Sequence, residues 1–105
     1  MQTLKCYELA VEFYRNAGTL RMPGHLKNQF LRAASSIALN LNEGSAKPTV
    51  PDRAKFYRIA LGSVRECEAI FRLLNVQHPA LKEHLDKLAR HTNRLCQSHN
   101  QLAVC

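Results

Sequence analysis

Arg58, Arg65 and Arg72 stand seven residues apart and are the most regularly placed charges in the chain. On a helix turning 100° per residue they fall within about 40° of one another and extend along roughly 20 Å. The small residues Gly62 and Ala69 lie beside this row. Guanidinium groups with little bulk between them suit a phosphate backbone, which arginine grips through charge-assisted and often bidentate hydrogen bonds. Lys87, Arg90 and Arg94 make a second basic cluster nearer the C-terminus. The ordinary alternative for both is a solvated face, since any basic amphipathic helix displays such rows. Most of the aromatic residues fall on apolar seams, where core packing is their usual role. Binding of nucleic acid is therefore expected through backbone shape and charge, without base-specific reading.

A second stretch with organised chemistry is Arg32-Ala-Ala-Ser-Ser-Ile-Ala-Leu-Asn-Leu-Asn-Glu-Gly44. At helical spacing Arg32, Ser36, Asn40 and Glu43 fall within an arc of about 80°, beside an apolar side made of Phe30, Ala33, Ala34, Ile37, Leu41 and Gly44. Polar residues held on one line over three turns suit contacts to neighbouring helices or subunits. Arg32 is also a candidate contact to nucleic acid.

Nothing else in the sequence has the spacing of a reactive site. Glu43, Glu66 and Glu68 are better explained by hydration, capping and ion pairing than by acid–base work, because Glu68 follows Glu66 by two residues and so lies on another helix face. Cys6, Cys67, Cys96 and Cys105 include no CxxC pair and are expected as reduced, mostly buried thiols. Cys105 is expected to be the most exposed. His84, His91 and His99 are spaced by seven and eight residues, whereas helical metal ligands sit three or four apart. The isolated glycines form no phosphate-binding loop. The expectation is a protein that is not an enzyme and has no metal, no cofactor and no small-molecule substrate.

Composition fits this picture. The 105 residues are 46% hydrophobic and 22% charged, enough for one packed core, so a single domain over 1–105 is expected. Fifteen Lys and Arg against eight Asp and Glu give a formal net charge of +7, which favours polyanionic partners. No apolar run reaches the roughly 18 residues needed to cross a bilayer, and the first residues lack a signal-peptide core. A cytoplasmic protein with no membrane association is expected.

Four helices are needed to position these groups. Residues 3–18 carry Leu4, Tyr7, Val11 and Tyr14 at steps of three and four, which predicts an amphipathic helix with that face buried and Gly18 at its end. A helix over 24–43 buries Leu26, Phe30, Ala33, Ala34, Ile37 and Leu41, and Gly44 closes it. Pro48 and Pro51 mark the major loop, and Thr49-Val-Pro-Asp52 has the form of a helix cap. A third helix over 50–75 has the core positions Phe56, Ala60, Ser63, Cys67, Ile70 and Leu74. A second apolar line, Tyr57, Leu61, Val64 and Phe71, lies beside them. Together the two lines cover more of the helix than one small bundle needs to bury. The last helix, 79–102, repeats Leu81, Leu85, Leu88, Thr92, Leu95, His99 and Leu102 at heptad spacing. The fold class is all-α, an antiparallel up-and-down four-helix bundle.

Two of these segments match a known family. The Arg32–Gly44 stretch resembles the "RAA-x-SI-x-x-N-I-x-EG" signature of small bacterial four-helix-bundle proteins first noticed as reading frames within intervening sequences of 23S ribosomal RNA genes. Phe56-Tyr-Arg-Ile-Ala-Leu-Gly-Ser-Val-Arg-Glu-Cys-Glu68 is similar to that family's second signature, "F-x-x-IA-x-GS-x-x-E", which includes Gly62, Ser63 and Glu66. Ala38 stands where the family often has proline, which predicts a straighter second helix. The resemblance implies a ring-like homo-oligomer, with a pentamer favoured, and such a ring accounts for surplus apolar surface on the third helix. It also implies kinship with the accessory variability determinant of diversity-generating retroelements, a basic bundle that binds a reverse transcriptase and nucleic acid. The expected function is thus a basic, oligomeric, nucleic-acid-binding accessory protein, with a reverse transcriptase among its candidate partners. The alternative is a protein-interaction or scaffold module, associated with the ribosome or its RNA, whose charge serves mainly solubility.

Overall fold

The computed structural model describes residues 2–104, with side chains from Thr3 to His99. Four α-helices follow one another: α1 Gln2–Ala17, α2 Gly24–Ser45, α3 Val50–Leu74 and α4 Pro79–Val104. Among the described residues there is no strand. Each helix packs on two others, so that α1 and α3 both touch α2 and α4 and stand diagonally across the bundle. Pairings such as Gln29 with Glu66 and Ser36 with Ser63 run in opposite directions along α2 and α3, as do Cys6 with Thr92 and Leu9 with His84 along α1 and α4. The result is an antiparallel bundle measuring 42 × 23 × 22 Å. No helix among the described residues is long and apolar enough to cross a membrane.

Local chemistry sets the helix ends. Thr49 caps α3, its Oγ1 accepting the Asp52 N–H at 3.3 Å, while Pro51 occupies the first turn and Asp52 faces the positive end of the helix dipole. At the other end Asn75 takes a left-handed conformation, with φ 50° and ψ 53°. The Asn75 N–H donates to the Arg72 carbonyl and the Val76 N–H to the Phe71 carbonyl, a Schellman closure in which buried Val76 and Phe71 supply the accompanying apolar pair. Between α1 and α2, the Lys27 ammonium donates to the carbonyls of Gly18 and Leu20 and ties the connection down. Arg53 does the same for the major loop, reaching the carbonyls of Lys47 and Pro48.

The core is layered. Phe13, Phe30 and Phe71 come from α1, α2 and α3, with centroids 5.4–6.0 Å apart, and His84 of α4 packs its ring edge on Phe13 at 5.7 Å. The His84 Nε2 lies 3.0 Å from the Leu9 carbonyl oxygen, which satisfies the polar end of this half-buried ring. Toward the other end Tyr57 packs on His99, and the Cys96 thiol donates to the Tyr57 carbonyl.

Two predicted faces are corrected. On α1 the buried side is Cys6, Leu9, Ala10, Phe13 and Ala17, whereas Leu4 is 60% exposed, Tyr14 40% exposed and Tyr7 and Val11 only half-buried. Both sets have helical spacing, and Phe13 with its small neighbours fits the close-packed interior better than two tyrosines whose hydroxyls need partners. On α3 the buried line combines Ala60, Cys67 and Ile70 with Tyr57, Val64 and Phe71, while Phe56, Ser63, Leu61 and Leu74 are half-buried. The predicted lines are therefore the two edges of one core face. On α2 the predicted face holds, except that Leu26 is only half-buried. On α4 the heptad line is buried from Leu81 through Leu95 and half-buried at His99; Leu102 lies outside the described side chains.

Gly44 is the third correction. It lies inside α2, which continues to Ser45, and its φ is not positive. A Cβ at this position would stand 2.7 Å from the Tyr57 ring and 3.1 Å from the Phe56 Cβ, so the glycine admits α3 to close contact and does not end the helix. Gly18 likewise has no positive φ; its N–H donates to the Tyr14 carbonyl just beyond α1.

Candidate nucleic-acid interface

The arginine row of α3 is on the surface. Arg58, Arg65 and Arg72 are all exposed, because the buried arc of α3 centres on Val64 and Cys67 and leaves these positions outward and toward α4. Lys87, Arg90 and Arg94 are exposed on α4. The antiparallel pairing of the helices brings parts of the two sets together. Arg65 and Arg90 line one surface depression of about 270 Å³ with Glu68, Asp86, Ala89 and Asn93. Arg72 and Lys82 line the adjoining depression, about 310 Å³, over a floor containing Phe71, Val76 and Leu85. Glu68 and Asp86 border both.

The groove between α3 and α4 thus carries four cations, Arg65, Arg72, Lys82 and Arg90, against two carboxylates. One carboxylate is engaged, since Arg65 Nη1 meets Glu68 Oε1 at 2.9 Å in an exposed pair. Such a pair adds little stability and exchanges readily for a phosphate oxygen. The remaining cations of the predicted sets lie outside this groove. Lys87 borders a separate depression between α1 and α4 with Leu9, Glu12 and His84. Arg32 is exposed on α2, on the side turned toward α3.

His91 records the charge gathered on the α1–α4 side. Its pKa is lowered, first by partial burial and then by Arg94, Lys5, Lys87 and Arg90. A cluster that disfavours a proton on histidine at the same time favours an anion.

The signature residues form a different kind of site. The Ser63 hydroxyl donates to the Ser36 Oγ at 2.9 Å, and Asn40 Nδ2 donates both to that Oγ at 2.9 Å and to the Ser36 carbonyl at 2.8 Å. This half-buried knot joins α2 to α3, and Gln29 Nε2 adds a bond to Glu66 at 3.1 Å. Glu43 pairs with Lys47 at 3.1 Å, and Lys47 also lies 5.1 Å over the Phe56 ring. Gly62, one residue before Ser63, is exposed with nothing within 4 Å of where a Cβ would lie. The predicted thiols are buried at Cys6, Cys67 and Cys96. Burial raises the pKa of each, and for Cys67, where Glu66 and Glu68 add to it, the value is pushed up to about 12. Cys105 lies outside the described residues.

Lys82 and Asn93 were not anticipated as parts of the basic groove. Their signal was present in sequence, since Lys82, Asp86, Arg90 and Asn93 follow at steps of four and three. Their alignment with Arg72 and Arg65 depends on the α3–α4 register, which periodicity alone does not supply.

The model of the family described as 23S rRNA-intervening sequence protein matches residues 3–101. A search of curated proteins finds no match to the chain.

Proposed function

The chain belongs to the 23S rRNA-intervening sequence protein family, and on that footing we propose that it is a non-enzymatic, self-associating accessory protein that holds the backbone of RNA or DNA on the basic faces of α3 and α4. The observation that supports this most directly is the meeting of Arg65 with Arg90, and of Arg72 with Lys82, along one groove. Binding of this type neutralises phosphates and releases counterions, so affinity falls steeply with salt and depends little on sequence. Self-association multiplies the +7 of each copy and turns modest contacts into useful avidity. A ring of five copies is the size that the resemblance implies. Extended by kinship to the retroelement determinant, the reading becomes that of a cytoplasmic accessory to a reverse transcriptase.

Fluorescence anisotropy with a structured RNA and a DNA duplex tests it. The wild type should bind both at low salt. Replacing Arg58, Arg65 and Arg72 with Gln should weaken binding at least tenfold and flatten the log–log salt slope by about 0.7–0.9 for each phosphate that the variant no longer neutralises. No binding at low salt, or an unchanged slope in the triple variant, overturns the reading.

A second reading, a protein-interaction module, is favoured by the exposed apolar residues Leu4, Leu39, Ile59 and Leu73. In that case the three Gln substitutions leave the activity intact.

A further inference from the structure

The depression at the α3–α4 turn holds more than a groove for phosphates needs. Its floor of Phe71, Val76 and Leu85 is apolar, and its volume of about 310 Å³ is that of a small ligand pocket. The floor is fixed in place: Phe71 packs on Phe13 and Phe30, and Val76 is held by the Schellman closure. Arg72 of α3 and Lys82 of α4 stand on the rim. Asp86 sits where this depression meets the one lined by Arg65 and Arg90, and it has no ion-pair partner among the described residues. We propose that the depression receives a single unpaired base of a bound nucleic-acid strand, with Arg72 and Lys82 on the flanking phosphates and Asp86 on the base edge. The proposal deepens the nucleic-acid reading above and rests on it.

A fully paired duplex would use the rim alone. Its bases are stacked inside, so its phosphates would meet Arg72 and Lys82, leave the apolar floor uncovered and lie against the Asp86 carboxylate. An unpaired nucleotide uses all three parts. Its base has two apolar faces, which gain by leaving water for an apolar floor, as bases do on the platforms of single-strand-binding proteins. Its edge, freed of a pairing partner, carries at least one N–H donor whichever base it is: the amino group of adenine or cytosine, the ring N–H and amino group of guanine, the ring N–H of uracil or thymine. A carboxylate accepts from any of these, so Asp86 selects an unpaired edge over a paired one and not one base over another. Glu68, once Arg65 exchanges it for a phosphate, is a second acceptor on the same rim. Beyond Asp86 the strand continues over Arg65 and Arg90. An acidic peptide with an aromatic side chain would also suit the floor and the two cations, but it would bring its carboxylates against Asp86.

Anisotropy titrations at fixed low salt with three RNA hairpins test the site: one with a fully paired stem, one with a single bulged adenosine in the same stem, and one with an abasic residue in place of that adenosine. A bulged base is already out of the stack and is the least costly to capture. The wild type should bind the bulged hairpin roughly fivefold or more tighter than the paired one, and the abasic hairpin, which keeps the bend but lacks the base, should fall back to the paired level. The salt slopes of the three should be nearly equal, because the added contact is not ionic. Asp86→Lys, at an exposed position, removes the acceptor and fills the depression. It should bind the paired hairpin at least as well as the wild type does and lose the preference for the bulge. Equal binding of bulged and paired hairpins, an abasic hairpin that keeps the advantage, or a preference that survives Asp86→Lys overturns the base site and leaves backbone binding standing. Failure of all three hairpins to bind at low salt overturns the nucleic-acid reading itself, and the base site with it.

Discussion

A methyl group on Gly44 would sit 2.7 Å from a carbon of the Tyr57 ring, closer than real side chains approach. Tyr57 is 1% exposed and its ring also packs on His99, with centroids 4.8 Å apart, so it has little room to yield. Gly44→Ala should therefore destabilise the bundle by about 1–3 kcal/mol, the usual cost of overpacking a well-filled core. Urea denaturation checks this, and a neutral or stabilising outcome would show that α2 and α3 separate easily here. The sequence exposed the importance of Gly44 but not its reason. A glycine near a helix end is ordinarily a terminator, and nothing in a one-dimensional pattern says which ring stands opposite it. The cysteines were more legible, because an isolated thiol on an apolar face is usually buried. With Cys67 pushed up to about 12, almost none of it is thiolate at pH 8. Cys6, Cys67 and Cys96 should resist a thiol reagent in the native protein and react once it is unfolded, as a site-resolved mass-spectrometric count will report.

At the level of elements, the ends and the existence of the helices could be read directly, whereas the rotation of each helix about its axis could not. Thr49 and Pro51 announced the start of α3 because their chemistry acts within one turn. On α4 the apolar residues fall in one stripe with polar residues opposite, so only one face qualifies for burial. On α1 and α3 two apolar lines with equally good spacing lie side by side, and tertiary packing decided between them. The Schellman closure at Asn75 was also hidden, since asparagine is a weaker signal of left-handed backbone than glycine. Its φ of 50° makes it testable. Asn75→Ala should cost about 1 kcal/mol, because an ordinary side chain pays roughly 1–2 kcal/mol in the left-handed region. Asn75→Gly should keep or slightly raise stability. Equal losses from both substitutions in thermal melts would show that the asparagine side chain, and not its backbone angle, matters at this end.

For the whole molecule, the decisive property is where its positive charge is concentrated, and His91 is a built-in reporter of it. Partial burial and the surrounding Arg94, Lys5, Lys87 and Arg90 lower its pKa from the ordinary value of 6.5. The sign of the linkage follows. Above pH 6.5 the ring is neutral in both folded and unfolded chains, and its contribution to stability is fully present. As pH falls below that value the unfolded chain takes up the proton first, so stability is lost until the folded pKa is passed. Phosphates laid over Lys87, Arg90 and Arg94 would offset the charges that oppose protonation and return the His91 pKa upward. Binding would then take up protons, and affinity for RNA should strengthen as pH drops from about 7 through the region where free and bound values differ. An NMR titration of the His91 ring proton, with and without a short structured RNA, separates the basic surfaces. A pKa that rises on binding assigns phosphate contact to the α4 cluster. A pKa that stays fixed while RNA binds confines the contact to the α3 row and keeps it away from Arg90, because His91 feels the cations of α1 and α4, Arg90 of the groove among them, and none of α3.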